Sequence, residues 1–393
     1  MRAGLLETIS FAACLCAAPT FVAAAGSDED PARSSAPAKK GSKYRSPEDG
    51  WLDLSAFLDE PYGFAPIVWP VTEPAVGYGA GVGLAFIGNP GHDARAGFGR
   101  PNITGVAGAY TDNDSWGVAA VDSRQWKNEQ LQTLVEVFDG SINLDFYGNG
   151  KTPILEDQPL TYNLAPIGGL VGAEYRLGRS PTWVGLTYLL MKTDVSFVDP
   201  PETPGLPEFR RESRIGALTP TLTYDTRDTI FTPTRGTYIE AGVGLYAEAL
   251  GGDDDFQAPY VVAMQFLPLH PKLSLGLRGD VSLSFGDVPF YMLPFIDMRG
   301  VPKMQYQGEN AAKAEVELRW QCWKRFSLVG FVGEGIAWTE LERFEKHKTV
   351  TIGGGGFRYE LARRYKLHMG VDAAFGPDGP AFYMQFGSAW MRP

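Results

Sequence analysis

The residues in this 393-residue chain that could do chemistry are four histidines, three cysteines, a run of three aspartates and a run of four glycines. A hydrolase elbow reads Gly-x-Ser-x-Gly and a zinc helix reads His-Glu-x-x-His, and neither surrounds His92, His270, His347 or His368. Asp253-Asp254-Asp255 has the charge for calcium but not the alternating spacing of a loop site, so it reads as a solvated loop tip. Gly353 to Gly356 is not followed by Lys-Ser/Thr, so it is no phosphate cradle and instead reads as close packing inside a strand. Cys14 and Cys16 fall in an apolar leader, which leaves Cys322 with no partner for an internal disulfide. The expectation is no enzyme, no cofactor and no metal site. What remains is structural chemistry. Arg299 lies in a long irregular stretch, residues 287–312, and a guanidinium presents five donors in a planar fork that can bridge two acidic or carbonyl partners. Gly300 beside it lets the backbone turn sharply or approach a wall closely.

The elements available to position these groups are strands. In residues 273–285, Leu273, Leu275, Leu277, Val281, Leu283 and Phe285 alternate with Ser274, Arg278, Asp280, Ser282 and Ser284. In residues 313–322, Ala314, Val316, Leu318 and Trp320 oppose Lys313, Glu315, Glu317, Arg319 and Gln321. Residues 237–249 set Ile239, Ala241, Val243 and Leu245 against Tyr238, Glu240, Tyr246 and Glu248. Such alternation suits a soluble sandwich as well as a membrane barrel. Strand length separates the two: these runs reach ten residues or more, as a tilted membrane strand requires, whereas soluble strands average five or six. Short turns such as 112–114, 178–181 and 270–272 alternate with long loops such as 199–209 and 287–312, an asymmetry of outer-membrane barrels. Trp116, Trp183, Trp320 and Trp338 suit interfacial girdles.

Sixteen strands are expected, at about residues 75–88, 102–111, 115–127, 129–139, 141–149, 161–178, 182–197, 211–227, 235–250, 256–269, 272–286, 312–323, 326–339, 349–363, 365–376 and 380–391. The fold class is therefore all-β: a transmembrane antiparallel barrel with a long sixth outer loop folded into the lumen. Residues 1–25 read as a signal peptide, with Arg2, an apolar core and Ala23-Ala24-Ala25 before an acidic stretch. Residues 26–49 read as a disordered linker, residues 50–74 as an irregular lead-in at the barrel mouth broken by Pro61, Pro66, Pro70 and Pro74, and residues 75–393 as the barrel. The location implied is the outer membrane of a Gram-negative bacterium. The last strand, with Phe382, Met384, Phe386 and Trp390 on one face and Gly387 between, suits recognition by the outer-membrane insertion machinery. Lipid and lipopolysaccharide are the surrounding partners, and a net charge of −11 argues against nucleic acid.

Three motifs carry a resemblance. Tyr224-Asp225-Thr226-Arg227-Asp228 with Phe231-Thr232-Pro233-Thr234-Arg235-Gly236 is similar to a turn between central strands, Met298-Arg299-Gly300-Val301 to a Val-Arg-Gly-Phe/Tyr loop motif, and Phe331-Val332-Gly333-Glu334-Gly335 to Phe-x-Asp-x-Gly. In this order they resemble the BamA/TamA superfamily of outer-membrane assembly and secretion barrels, here of the bacterial surface antigen type, in a branch without POTRA modules. The resemblance implies that Arg299, with Gly300, anchors the sixth loop to Glu317 on the lumenal wall. It leaves two possibilities for the second anchor, because Gly333 stands where the family has Asp: Glu334 is turned inward by a bulge, or that anchor is missing. Val301 replaces the usual aromatic. Gly77, Gly79, Gly81 and Gly83 share one face of the first expected strand and would weaken a closing seam; alternatively they make room for the lead-in or the sixth loop. The implied function is insertion or translocation of a client protein or lipid through a lateral seam. The alternative readings are a passive pore or structural barrel, and an outer-membrane lipid-acting enzyme.

Overall fold

The computed structural model describes residues 44–55, 65–88, 102–127, 130–147, 159–198, 210–339 and 347–391. The expected signal peptide and most of the expected linker lie outside these. Alternating apolar and polar residues leave a strand with two unlike faces, and curling the sheet round on itself turns one face inward and the other outward. The chain follows that rule through seventeen strands: β1 (Ala65–Glu73), β2 (Gly77–Gly88), β3 (Asn102–Thr111), β4 (Trp116–Trp126), β5 (Leu131–Phe146), β6 (Leu160–Arg176), β7 (Thr182–Phe197), β8 (Arg210–Asp225), β9 (Gly236–Tyr246), β10 (Phe256–His270), β11 (Leu273–Leu283), β12 (Phe285–Gly286), β13 (Asn310–Trp323), β14 (Phe326–Trp338), β15 (His347–Ala362), β16 (Leu367–Gly376) and β17 (Gly379–Phe386). The two-residue β12 extends β11 along β10, so the wall has sixteen staves. Each stave pairs antiparallel with its sequence neighbour from β1 through β17.

The total of sixteen matches expectation, but two members differ. Residues 65–73, expected as irregular lead-in, are β1, despite Pro66 and Pro70. Proline cannot donate to a ladder, yet an edge strand has one row of N–H groups without a partner. Prolines four residues apart both fall on the same side of the strand. Residues 129–139 and 141–149, expected as two strands, are the single β5. Gly140 looked like a turn; in the barrel the β5–β6 register is interrupted there, opposite Pro166, which offers no N–H, and resumes at Ile142–Leu164. One strand gained before the glycine run and one lost after it shift the parity of the early connections. Turn 112–115 therefore lies at the same end as the sixth loop, where Asn113 Nδ2 donates to the Asn143 carbonyl at 3.1 Å, and the 89–101 connection joins the opposite end. These two ends are called the loop end and the turn end.

The faces divide as the alternation requires. Leu277, Val281, Val316, Leu318, Trp320, Ile239 and Leu245 are exposed on the outer wall, and Arg278, Asp280, Glu315, Tyr238 and Glu240 are buried inside. Trp116 and Trp320 face outward, but Trp183 is buried in the lumen beneath Arg176 at 5.6 Å, so it belongs to no girdle. Trp126 and Trp323, both about half exposed near the turn end, occupy that role. The final strand ends at Phe386. Gly387 has φ +77°, donates to the His368 carbonyl at 2.7 Å and turns the chain, so Trp390 leaves the apolar outer face on which it was expected. It is buried against Gly276, and its ring lies 6.2 Å from that of Phe266.

Candidate functional site

The sixth loop, residues 284–309, is a finger. Ile296 N–H donates to the Tyr306 carbonyl at 3.0 Å, Gly308 N–H to that of Pro294 at 3.0 Å, and Phe295 bridges to Gln307. Its tip reverses at Met298–Val301, where the Val301 N–H reaches the Met298 carbonyl at 3.1 Å. Ile296, Met298 and Val301 are buried in one apolar cluster with Val329, Phe331, Val350, Ile352 and Ala374 of β14, β15 and β16. Val301 is almost wholly buried, so an aliphatic side chain fills the place where an aromatic was expected.

Arg299 is carried by this tip into a nest of inward-facing acids. Its Nη1 donates to Asp372 Oδ2 at 2.9 Å, and its Nη2 lies 2.9 Å from Glu317 Oε2 and 3.7 Å from Glu315 Oε2. The guanidinium carbon stands 3.6 Å over the centre of the Phe331 ring. Asp372, fully buried, is gripped from the other side by Arg358, at 2.5 Å and 2.8 Å. Gly300 adopts φ +85° and donates its N–H to Tyr383 Oη on β17 at 2.8 Å. A Cβ there would stand 3.2 Å from Ala374 Cβ and from Gly376 N, so the close approach and the left-handed backbone both require glycine. At the base of the finger, Lys313 lies 3.4 Å from both Asp280 and Asp297.

Glu334 takes no part. The β13–β14 and β14–β15 registers run through it without a bulge, so strict alternation leaves it exposed on the outer wall while Gly333 faces Glu315. The second carboxylate beside Arg299 is Asp372, two strands further on. Sequence reasoning missed it. The only local signal was that Asp372 shares the inward phase of its strand with Gly370 and Ala374. Two members of the glycine run make its room: a Cβ on Gly356 would sit 2.0 Å from Asp372 Oδ1, and one on Gly354 2.5 Å from Phe331 Cζ.

Gly77, Gly79, Gly81 and Gly83 lie not in the first strand but in β2, where Gly79, Gly81 and Gly83 are laddered to both β1 and β3 and Gly77 to β1. Their positions do not form an edge. The indole of Trp69, from β1, covers Gly81, where a Cβ would meet it at 2.1 Å. The edge strands are β1 and β17, which approach each other; among the described residues no register pairs them. The three aspartates of the fifth loop are engaged locally: Asp253 accepts the Arg214 N–H at 2.7 Å, Asp254 pairs with Arg211 at 2.7 Å, and Asp255 accepts the Glu248 N–H at 2.8 Å. The turn motif 224–236 lies at the opposite end, where Asp228 accepts from Thr234 and pairs with Lys366 at 2.7 Å.

Residues 208–297 match the model of the Omp85 superfamily domain. The match takes in the 224–236 turn motif and ends before Met298-Arg299-Gly300-Val301, and it agrees with the BamA/TamA-type resemblance. In fold the chain is similar to BamA from Haemophilus ducreyi lacking POTRA domains 1–3, with a TM-score of 0.57 and 13% identity over 83% of this chain and 70% of that one. It is also similar to CdiB from Escherichia coli, with a TM-score of 0.55 and 12% identity over 84% of this chain; it spans 60% of that protein's length. No curated protein sequence matches the chain.

Proposed function

We propose that this Omp85 barrel passes a client protein or lipid through a seam between β1 and β17, with the arginine-tipped finger holding the lumen beside that seam. The observation that supports this most is the contrast in the wall: every other pair of neighbouring staves is joined by a ladder, and β1 and β17 are not, among the described residues. Backbone groups without partners in a membrane are costly, so an open edge is retained only where something else uses it. The finger touches the seam from inside, through Gly300 on Tyr383 of β17. Export by residues 1–25 and insertion by the outer-membrane machinery complete the reading, with lipopolysaccharide among the surrounding lipids.

A disulfide between β1 and β17, introduced in a Cys322→Ser background, tests it. In vesicles holding the protein, a urea-unfolded small barrel protein and a fluorescent phospholipid serve as probe clients. Protection of the first from protease, or exchange of the second between leaflets, should fall at least tenfold on oxidation and return on reduction. Unchanged transfer of both probes with the seam locked would sink the proposal, and a conductance indifferent to the lock would favour a passive pore.

A further inference from the structure

We propose that the 226–235 turn and residues 387–391 form a floor that closes the turn end of the lumen, so that no solute enters the barrel from that side while the two are joined. The inference stands apart from the seam reading, since it concerns the mouth of the barrel and not its wall. The 226–235 turn is directed inward from its root. Asp225 lies on the inward phase of β8, and Arg227 donates to it through Nε at 2.9 Å and Nη2 at 2.8 Å. The Arg227 guanidinium carbon lies 4.3 Å from the centre of the Tyr238 ring, and its side chain is almost wholly buried. Gly236, at φ +108°, closes the root: a Cβ there would stand 2.3 Å from the Thr226 carbonyl oxygen. Asp228 then ties the turn to itself, accepting from the Thr234 N–H at 3.0 Å and from Thr234 Oγ1 at 2.7 Å. A connection between strands is ordinarily solvated. Thr229, Ile230, Phe231 and Thr232 are instead buried.

What buries them lies on the other side of the barrel. β8 and β9 are the eighth and ninth of the sixteen staves, and β16 and β17 are the fifteenth and sixteenth. Thr229 Oγ1 donates to the Tyr365 carbonyl at 3.3 Å, the His368 N–H donates to Thr232 Oγ1 at 3.4 Å, and the Phe231 carbonyl accepts the Ser388 N–H at 2.6 Å. Ile230 and Phe231 share an apolar cluster with Tyr365, Leu367 and, from β3, Ile103. Sixteen tilted staves about 4.8 Å apart enclose a mouth about 30 Å wide. Half of a ten-residue turn extends only about 17 Å, so the turn alone does not cross it. Residues 387–391 come to meet it. Left-handed Gly387 turns the chain away from β17, and Trp390 is carried to the far wall, where its ring packs against Gly276 of β11 and Phe266 of β10. The two segments thus enter from opposite rims and join at Phe231 and Ser388, while Lys366 of the β15–β16 turn fastens Asp228 at 2.7 Å. These contacts lie outside the ladders of the wall, so the floor can part while the staves stay paired.

Access of a charged thiol reagent to the lumen tests the floor. Glu136→Cys and Thr187→Cys, each in Cys322→Ser protein, place a reporter on the inward face of β5 or β7, at the sixth residue from the turn end in both strands. In detergent micelles both mouths of the barrel meet the probe, a sulfonated methanethiosulfonate. Arg179→Cys, on an exposed turn, sets the unhindered rate, and urea-unfolded protein shows that each reporter thiol is reactive once uncovered. Phe231→Ala with Lys366→Gln loosens the floor from one rim and Trp390→Ala from the other, so failure of one variant to fold leaves the other. In the parent protein both reporters should react slower than Arg179→Cys by about tenfold or more, and in either loosened variant they should react about tenfold faster than in the parent, with circular dichroism unchanged. Reporters that react in the parent as fast as Arg179→Cys overturn the floor. Rates that are equally slow in the parent and in both folded variants overturn it as well, because the mouth is then closed by something else.

Discussion

Arg299 shows how much one guanidinium can organise when its fork, its charge and its flat face are all used. Three acids from β13 and β16 surround it and Phe331 covers it, so Arg299→Ala leaves buried carboxylates with too little positive charge. The expected loss is about 3 to 5 kcal/mol, smaller where lumenal water replaces the contacts. Protease added to intact cells should then cut between residues 287 and 308 in the variant and not in the parent, while barrel insertion continues. Arg299→Lys should restore protection only in part, because an ammonium cannot span Asp372 and Glu317 together. Glu317→Gln should be milder than Asp372→Asn, since Asp372 also holds Arg358. The glycines behind the nest provide a second measurement. Gly356→Ala pushes a methyl group into the Asp372 carboxylate and should cost about 1 to 3 kcal/mol with the same loop exposure. Gly353→Ala points outward, where the nearest atom would be 3.7 Å away, and should be near neutral in the same unfolding assay. Equal behaviour of the two would mean that the packing behind Asp372 is not tight.

Among elements, β11 and β13 show the division of faces most directly, because Leu275 and Leu318 stand opposite each other in register on the lipid side. Arginine at either should cost about 2 to 4 kcal/mol in reversible unfolding from vesicles if the site lies near the bilayer midplane. Arginine at Ser282, on the inward phase of β11, should be mild. Similar losses at all three would mean that the two faces are wrongly assigned. The edge strand β1 carries the complementary lesson. Its prolines argued for irregular chain, and they are tolerated because the strand has a ladder on one side only.

For the whole molecule, ion pairs in the turns hold residues 44–55 and the 226–235 turn at the turn end, Asp49 and Asp53 through Arg325 and Asp228 through Lys366, and these respond to acid. Burial alone would raise the Asp228 carboxyl, but Lys366 and Thr234 hold it below the ordinary value. The Arg325 hydrogen bond does the same for Asp49, and for Asp53 burial is outweighed by bonds from Ser55 and Arg325. A carboxyl depressed in the folded state contributes stability that is fully present above its unfolded pKa of about 3.9 and is lost as pH falls through the lower folded value. Below about pH 4, Trp51 fluorescence and protease cutting near residue 50 should therefore report release of residues 44–55 from Arg325 while circular dichroism still shows an intact barrel. Loss of both signals together would mean that residues 44–55 and the barrel unfold as one unit. The protein should resist extraction from membranes both by high salt and by alkali.

Local pattern determined the all-β class, the length of most staves and which face of a strand turns outward, because a period of two is written residue by residue; the total of sixteen agreed only because β1 was missed and β5 was split in two. The finger and its Arg299-Gly300 tip were legible through their resemblance to a known motif, and the inward phase of Glu317 through alternation. Tertiary structure decided what depends on which strands become neighbours. Asp372 meets Arg299 because β16 curves round to face the finger, a contact across 73 residues of sequence. Glu334 points outward because both of its ladders continue without a bulge. The glycines of β2 lost the seam to β1 once a proline-bearing segment became the edge, and Trp390 left the last strand once Gly387 turned the chain inward. Sequence periodicity specifies the face on which a residue lies, whereas the partner it meets there is chosen by closure of the barrel.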